Sequence, residues 1–356
     1  MPTTQTPRQR MIAALSHTEP DKVPRDMGFT PPVEKMLKEK TGADDLYDYF
    51  ELEFRGVAQR HTTRDLEIYR RYHTGLKDGA TLDEYGIAEE PGDFYHFTHT
   101  VAPMQHFTSI REFEAYPMPD IMDDYRYDGI ADTIADIKAR GLFATAWVGH
   151  IFETVWHMRG MDRFMMDMIE HPEFAAFLVE TITEMRVHMA DRFTRMGADM
   201  ITLGDDVGMQ TGMMMSPELW RRWFKPNLAR VIAAAKDVNP DVYIWYHSDG
   251  NIEAVIPELI EVGVEILNPI QPECMDPAKL KRQYGDRLSF WGTIGIQTTM
   301  PFGTPDDVKR EVRERIRTVG KGGGLVLAPT HVLEPEVPYE NILAFIEAIE
   351  EEARGD

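Results

Sequence analysis

Short apolar runs rich in β-branched and aromatic residues alternate along this chain with longer stretches whose apolar side chains recur every three or four positions. The first pattern predicts buried strands and the second predicts amphipathic helices. The runs are DKVPRDMGF, LFATAWVG, ADMITLG, the stretch 242–246, the stretch 264–267, LSFWGTIG and GLVLAPTH. The helices are expected over TPRQRMIAALSH, with Met11, Ile12 and Leu15 inward, over GIADTIADIKARG, over ETVWHMRGMDRFMMDMIEH and over 172–196. Further helices are expected from Ser216, an N-cap before Pro217, through SPELWRRWFKPNLARVIAAAKD, and over TPDDVKREVRERIRTVG and PYENILAFIEAIEEEA.

The stretch 241–277 organises the rest. A strand ends in His247-Ser248-Asp249-Gly250, a helical face follows with Ile252, Val255, Ile256, Leu259 and Ile260, and Gly263 closes it before the next run. Two strands joined by a helix form a βαβ unit and are parallel. Seven strands can be counted, and closure of an α/β (β/α)8 TIM-like barrel supplies an eighth. One domain, 1–356, is expected, with residues 30–128 as a helical and irregular lid that includes a hairpin around HFTHTVAPM. A doubly wound open sheet is the alternative. GKGGGLVL precedes a strand, so it is no dinucleotide fingerprint.

Composition narrows the class. The 356 residues are 43% hydrophobic and carry a net charge of −22, which argues against nucleic acid or an anionic membrane as partner. No apolar run spans a bilayer and the N-terminus lacks a secretory core, so a cytoplasmic protein is expected. The single cysteine, Cys274, rules out an internal disulfide and agrees with a reducing compartment. A homodimer is compatible with all of this.

The chemistry gathers at strand ends, where a barrel places its active site. One rim is expected to collect Glu153, Asp205, Asp206, His247, Asp249, Cys274 and His331. Each also has an ordinary reading: Asp205-Asp206 as a turn cap, Asp249-Gly250 as a turn pair, Glu153 as a helix N-terminal carboxylate. Together, two imidazoles, a thiol and several carboxylates suit a borderline-soft cation, zinc first, in an open catalytic site.

Six segments carry a family resemblance: PRQRMIAALSHTEPDKVP, GDDVGMQTGMMMSPELWRRWFKP, HSDGNIEAVIPELIEVGVEILNPIQ, YGDRLSFWGTIG, GTPDDVKREVRERI and GGGLVLAPTHVLEPEVPYENILAF. In these the chain resembles the uroporphyrinogen decarboxylase superfamily, on the side of the corrinoid-dependent methyltransferases. The resemblance implies a distorted β/α barrel. The haem-pathway decarboxylases carry an Arg-Gln-Ala-Gly-Arg segment after the first strand; here PRDMGFTPPV has one arginine, Arg25. The thiol-methylating members hold zinc with a His-x-Cys pair and a later Cys; the matching positions here are His247-Ser248-Asp249 and His331. Harder ligands favour Lewis-acid chemistry over thiolate binding. The resemblance therefore implies methyl transfer from a methoxylated aromatic, or a similar O- or N-methyl donor, to a corrinoid protein.

On that reading His247, Cys274 and His331 hold zinc, with Asp249 or Glu153 beside them, and Asp206 is an acid or substrate anchor. Trp147, Asp205, Met209 and Trp291 contact the donor, although the tryptophans also suit core packing. A cofactor-free decarboxylase, a thiol methyltransferase and a non-catalytic metal- or corrinoid-protein-binding adaptor remain the alternatives.

Overall fold

The computed structural model describes residues 5–92 and 99–355. Its centre is one seven-stranded, all-parallel sheet. The strands are β1 (Phe54–Val57), β2 (Phe143–His150), β3 (Met200–Gly204), β4 (Tyr243–His247), β5 (Ile266–Asn268), β6 (Ser289–Ile294) and β7 (Leu325–Pro329). Each pairs with its neighbours in sequence order. The sheet curls, because residues from every strand line one common interior; an open doubly wound sheet would not do this. The fold is therefore a TIM-like α/β barrel. No helix among the described residues is long and apolar enough to cross a membrane.

The eighth barrel position differs from expectation. DKVPRDMGF forms no continuous strand; Arg25 and Phe29 make isolated parallel bridges to Leu327 and Leu333. Pro24 has no N–H to give to a ladder. On the other side the Arg25 N–H donates to the Glu53 carboxylate at 3.0 Å. The barrel is thus joined there partly by a side chain. β1 is the complementary surprise, since it lies inside the stretch 30–128 that was expected to be lid alone. FRGV has two intermediate positions and an exposed one before its buried end and carries no apolar run to announce it. The rest of that stretch holds short helices and a three-stranded antiparallel sheet in which Ala88–Glu90 pairs with His99–Val101. That pairing lies where the hairpin was expected; residues 96–98 of HFTHTVAPM are outside the described residues.

Two expected helices are each divided. Gly160, at φ 92°, separates Phe152–Arg159 from Met161–Glu170. Phe224, just before Lys225-Pro226, separates Pro217–Trp223 from Lys225–Val238, as proline does when it removes a helix donor. Ser216 caps the first of these through the Leu219 N–H.

The first helix, α1 (Pro7–Leu15), is capped by Thr6 in a reciprocal box with Gln9. Its Met11 and Leu15 pack with Phe143, Met200, Ile266, Trp291, Val326 and Ala328 in a core cluster of their own, distinct from the large one between sheet and outer helices. α1 therefore packs against the barrel interior. Three of the cluster residues, Met200, Trp291 and Ala328, also face the cavity described next.

Candidate functional site

The C-terminal ends of the strands open into a cavity of about 510 Å³. Its wall carries a run of aromatic and imidazole rings. Trp291 packs edge-on against Phe54 at 5.1 Å and Trp245 at 6.2 Å between ring centres. Trp245 stacks at 5.8 Å on His247, which lies parallel to His150 at 6.3 Å, and His150 meets Trp147 at 5.0 Å. All of these rings line the cavity. The close imidazole pair depends on Gly204: a Cβ there would stand 2.7 Å from His247 Cβ and 3.2 Å from His150 Nε2.

At the rim three turns interlock. The Asp249 N–H donates to Asp206 Oδ1 at 2.7 Å, the Asp206 N–H to Glu153 Oε1 at 2.9 Å, and the Glu153 N–H to Asp205 Oδ1 at 3.1 Å. Glu153 Oε1 is also 2.5 Å from His150 Nδ1. Within this arrangement Asp206, His247 and Asp249 each offer a ligand atom, all within 4.8 Å of one another.

The orientation of His247 follows from its neighbours. Asn268 Nδ2 donates to the Trp291 carbonyl at 2.9 Å, so its Oδ1 is the atom 2.5 Å from His247 Nδ1. An amide oxygen only accepts, so Nδ1 carries the hydrogen, and in the neutral imidazole Nε2 keeps its lone pair. That lone pair lies 3.4 Å from Asp206 Oδ1. In that neutral form two acceptors face each other, and Asp249 Oδ1 beside them is buried with no hydrogen-bond partner. A nitrogen and carboxylate oxygens so placed lack a positive charge. This donor set fits a divalent cation, with Asn268 orienting the imidazole as outer partners of metal-bound histidines do.

The carboxylates are electrostatically distinct. Burial pushes Asp205 well above the usual carboxylate range, and the Glu153 charge adds to it. Burial likewise raises Asp249, reinforced by Asp206 and Glu153 against the opposing pull of His247 and His331. Glu153 pays a desolvation penalty too, but its hydrogen bond and charge interaction with His150 hold it below the ordinary value.

The residues singled out from sequence are only partly brought together. Asp206, His247 and Asp249 meet; Glu153 braces them; Asp205 lies buried beneath, outside the cavity wall. Trp147 and Trp291 line the cavity. The expected ligand trio His247, Cys274 and His331 is not assembled: among the described residues the group with converging donors is Asp206, His247 and Asp249. Cys274 is outside the cavity wall, its Sγ 3.5 Å from Gln271 Oε1. Burial raises its thiol, as do Glu273 and Asp249, which disfavours a thiolate ligand. The reason is the length of the turn after β5, which carries Cys274 past the rim. His331 does line the cavity, but is exposed, with Nδ1 3.2 Å from the Val332 carbonyl. Met209 stands on a two-residue hairpin strand, 51% exposed and outside the cavity wall.

Sequence reasoning passed over Asp26, Trp245 and Asn268. Asn268 is a strand-end polar residue of the same kind as those chosen, so that signal was present; Asp26 lies within the run expected as the first strand and had no such signal. Asp26 Oδ2 accepts the Trp291 indole N–H at 2.9 Å, and burial raises its carboxyl to about 6 against the opposing hydrogen bonds of Trp291 and Met27. Hydrogen bonds thus run from His247 through Asn268 and Trp291 to Asp26.

Comparison with known proteins agrees with this architecture. The family described as uroporphyrinogen decarboxylase (URO-D) matches residues 6–352. A methylcobamide:CoM methyltransferase, MtaA of Methanosarcina barkeri, is 28% identical over 188 residues, 53% of this chain and 52% of that protein. The chain thus spans about half the length of that relative. A uroporphyrinogen decarboxylase of Coxiella burnetii is 21% identical over 285 residues, 74% of each chain. Among solved structures, a methyltransferase from Methanosarcina mazei superposes with a TM-score of 0.70, at 20% identity, over 98% of this chain and 99% of that one.

Proposed function

This chain belongs to the uroporphyrinogen decarboxylase (URO-D) family, and from that membership we propose that it is a methyltransferase serving a corrinoid protein. The donor is a methoxylated aromatic or a related O- or N-methyl compound. A divalent cation, zinc by preference, is held by His247, Asp206 and Asp249. The observation that carries the reading is the convergence of His247 Nε2 and Asp206 Oδ1, 3.4 Å apart, with the unpartnered Asp249 Oδ1, at the mouth of a cavity with several aromatic rings in its wall.

When bound, the cation would polarise the donor's heteroatom and stabilise the departing phenolate, while the partner's corrinoid takes the methyl group. The chain's own residues do the positioning. Asn268 fixes the His247 tautomer, Glu153 and His150 brace the Asp206 turn, and the rings of Trp147, Trp245 and Trp291 exclude water from the donor. The relative named methylcobamide:CoM methyltransferase supports the corrinoid partner. A thiol acceptor suits this site less well, because oxygen-rich ligands bind a thiolate-holding zinc poorly. Decarboxylation of a polyanionic tetrapyrrole is disfavoured by the cavity wall, which has no Lys or Arg among its described lining. Arg25, the one arginine of PRDMGFTPPV, donates instead to the Phe50 carbonyl at 2.9 Å and pairs with Glu350.

The test is a donor screen with reduced cobalamin, followed by its absorption change, on chelator-treated and zinc-restored protein. Zinc restoration should return methyl transfer, and His247→Ala should lose both bound zinc and transfer while keeping its circular dichroism. Full transfer by metal-stripped protein, or turnover of uroporphyrinogen with no methyl transfer from any donor, refutes the proposal.

A further inference from the structure

The cavity holds information about its ligand beyond the transfer reaction. Its wall contains three carboxyl groups, Asp26, Asp206 and Asp249, and no Lys or Arg among the described lining residues. Two of the three are at the rim with His247. Asp26 is separate from them: it sits on the segment bridged to β7 and is tied to Trp291, whose indole N–H it accepts at 2.9 Å. It is partly exposed, and it lines the cavity. A carboxylate has more acceptor sites than one indole and one backbone N–H occupy. Phe54 and Trp245 pack edge-on with Trp291, so Asp26 lies beside an aromatic cluster. Thr145 and Thr202 add only neutral polarity.

We infer that this cavity selects uncharged methoxyphenols, with the ring against Trp291 and Trp245 and the phenolic hydroxyl donating to Asp26, and that it rejects donors bearing a carboxylate. This deepens the methyltransferase reading and rests on it for the role of the methoxy group. The physical argument is one of charge pairing. A phenol is neutral near pH 7, its pKa being about 10, and its O–H to a carboxylate is a charge-assisted bond. A ring carboxylate would face Asp26 with no Lys or Arg in the described lining, the cation's charge being balanced by Asp206 and Asp249, and would lose hydration without recompense. Aromatic faces also hold methylammonium ions, but those leave the hydroxyl-accepting role of Asp26 unused, so they form the competing outcome.

Binding is measured by calorimetry on metal-free and zinc-loaded protein, without any corrinoid. The probes are 2-methoxyphenol, 1,2-dimethoxybenzene, 3-methoxy-4-hydroxybenzoate and tetramethylammonium. For wild type, 2-methoxyphenol should bind about tenfold or more tighter than the benzoate and than dimethoxybenzene, the worth of one hydrogen bond to a charged group. Asp26→Asn keeps an acceptor for Trp291, and Asp26→Leu removes it. Both should cut 2-methoxyphenol affinity toward that of dimethoxybenzene; Asp26→Asn, which keeps the Trp291 bond, should leave dimethoxybenzene within about twofold, whereas Asp26→Leu also frees the Trp291 indole and should weaken both ligands. The inference is overturned if the benzoate binds as well as the phenol, if both neutral ligands lose affinity equally in Asp26→Asn, or if tetramethylammonium binds most tightly. The wild-type comparison needs no variant and so stands whether or not the variants fold. If the affinity order holds but no donor gives methyl transfer, the transferase reading fails alone. Transfer from a methoxybenzoate bound as tightly as the phenol sinks the selectivity alone.

Discussion

His247 shows how much one side chain's chemistry depends on the atom behind it. Its Nδ1 meets Asn268 Oδ1 at 2.5 Å, and the same amide is held by the Trp291 carbonyl. Removing that amide frees the ring to rotate and to exchange tautomers, so Nε2 no longer points at Asp206 by default. Asn268→Ala is therefore expected to weaken zinc binding by about 10–100-fold, as outer-partner substitutions do, with little change in fold. Competition with a chromophoric chelator measures it; an unchanged zinc affinity would mean that packing against Trp245 alone orients the imidazole. The donors themselves could be read from sequence as strand-end residues. Their grouping could not. His247 and Asp249 are two residues apart, but Asp206 reaches them only because β3 and β4 pair with Gly204 opposite His247. Cys274 looked like an equal candidate on the same criterion, and only the path of its turn removed it.

At the scale of elements, periodicity located helices and strands well and their interruptions poorly. The stretch 153–171 keeps an apolar spacing through Gly160, yet the chain turns there at φ 92°. That conformation is open to glycine and strained for other residues. Gly160→Ala should lower stability by about 1 kcal/mol or more, seen as a reduced urea midpoint at unchanged slope. A neutral result would show that the two helices can merge into one. β1 went unrecognised for a different reason. Its four residues contain one intermediate aromatic and one buried valine, too little for a pattern of period two. Its strand character comes from hydrogen bonds to β2, in register from Phe54 opposite Phe143 to Val57 opposite Ala146.

At the scale of the whole molecule, the barrel interior has two ends with separate duties. The cavity occupies one, and α1 contributes Met11, fully buried, to the cluster that includes Met200 and Trp291. Met11→Ala should cost about 2–5 kcal/mol through lost burial and the cavity left behind. Because Met200 and Trp291 also face the ligand cavity, the same variant should weaken 2-methoxyphenol binding under conditions where it remains folded. A cost below about 1 kcal/mol would show that the barrel closes without the helix. The alternation of apolar runs and helical faces by itself determined a parallel α/β fold, because burial of a strand on both faces and of a helix on one are local demands written into residue order. Tertiary structure alone decided which strand-end groups share a site, that Asp26 belongs to the cavity, and that the eighth barrel position is a bridged segment. Those outcomes depend on register, turn length and side-chain hydrogen bonds between residues far apart in sequence, and no local pattern records such distances.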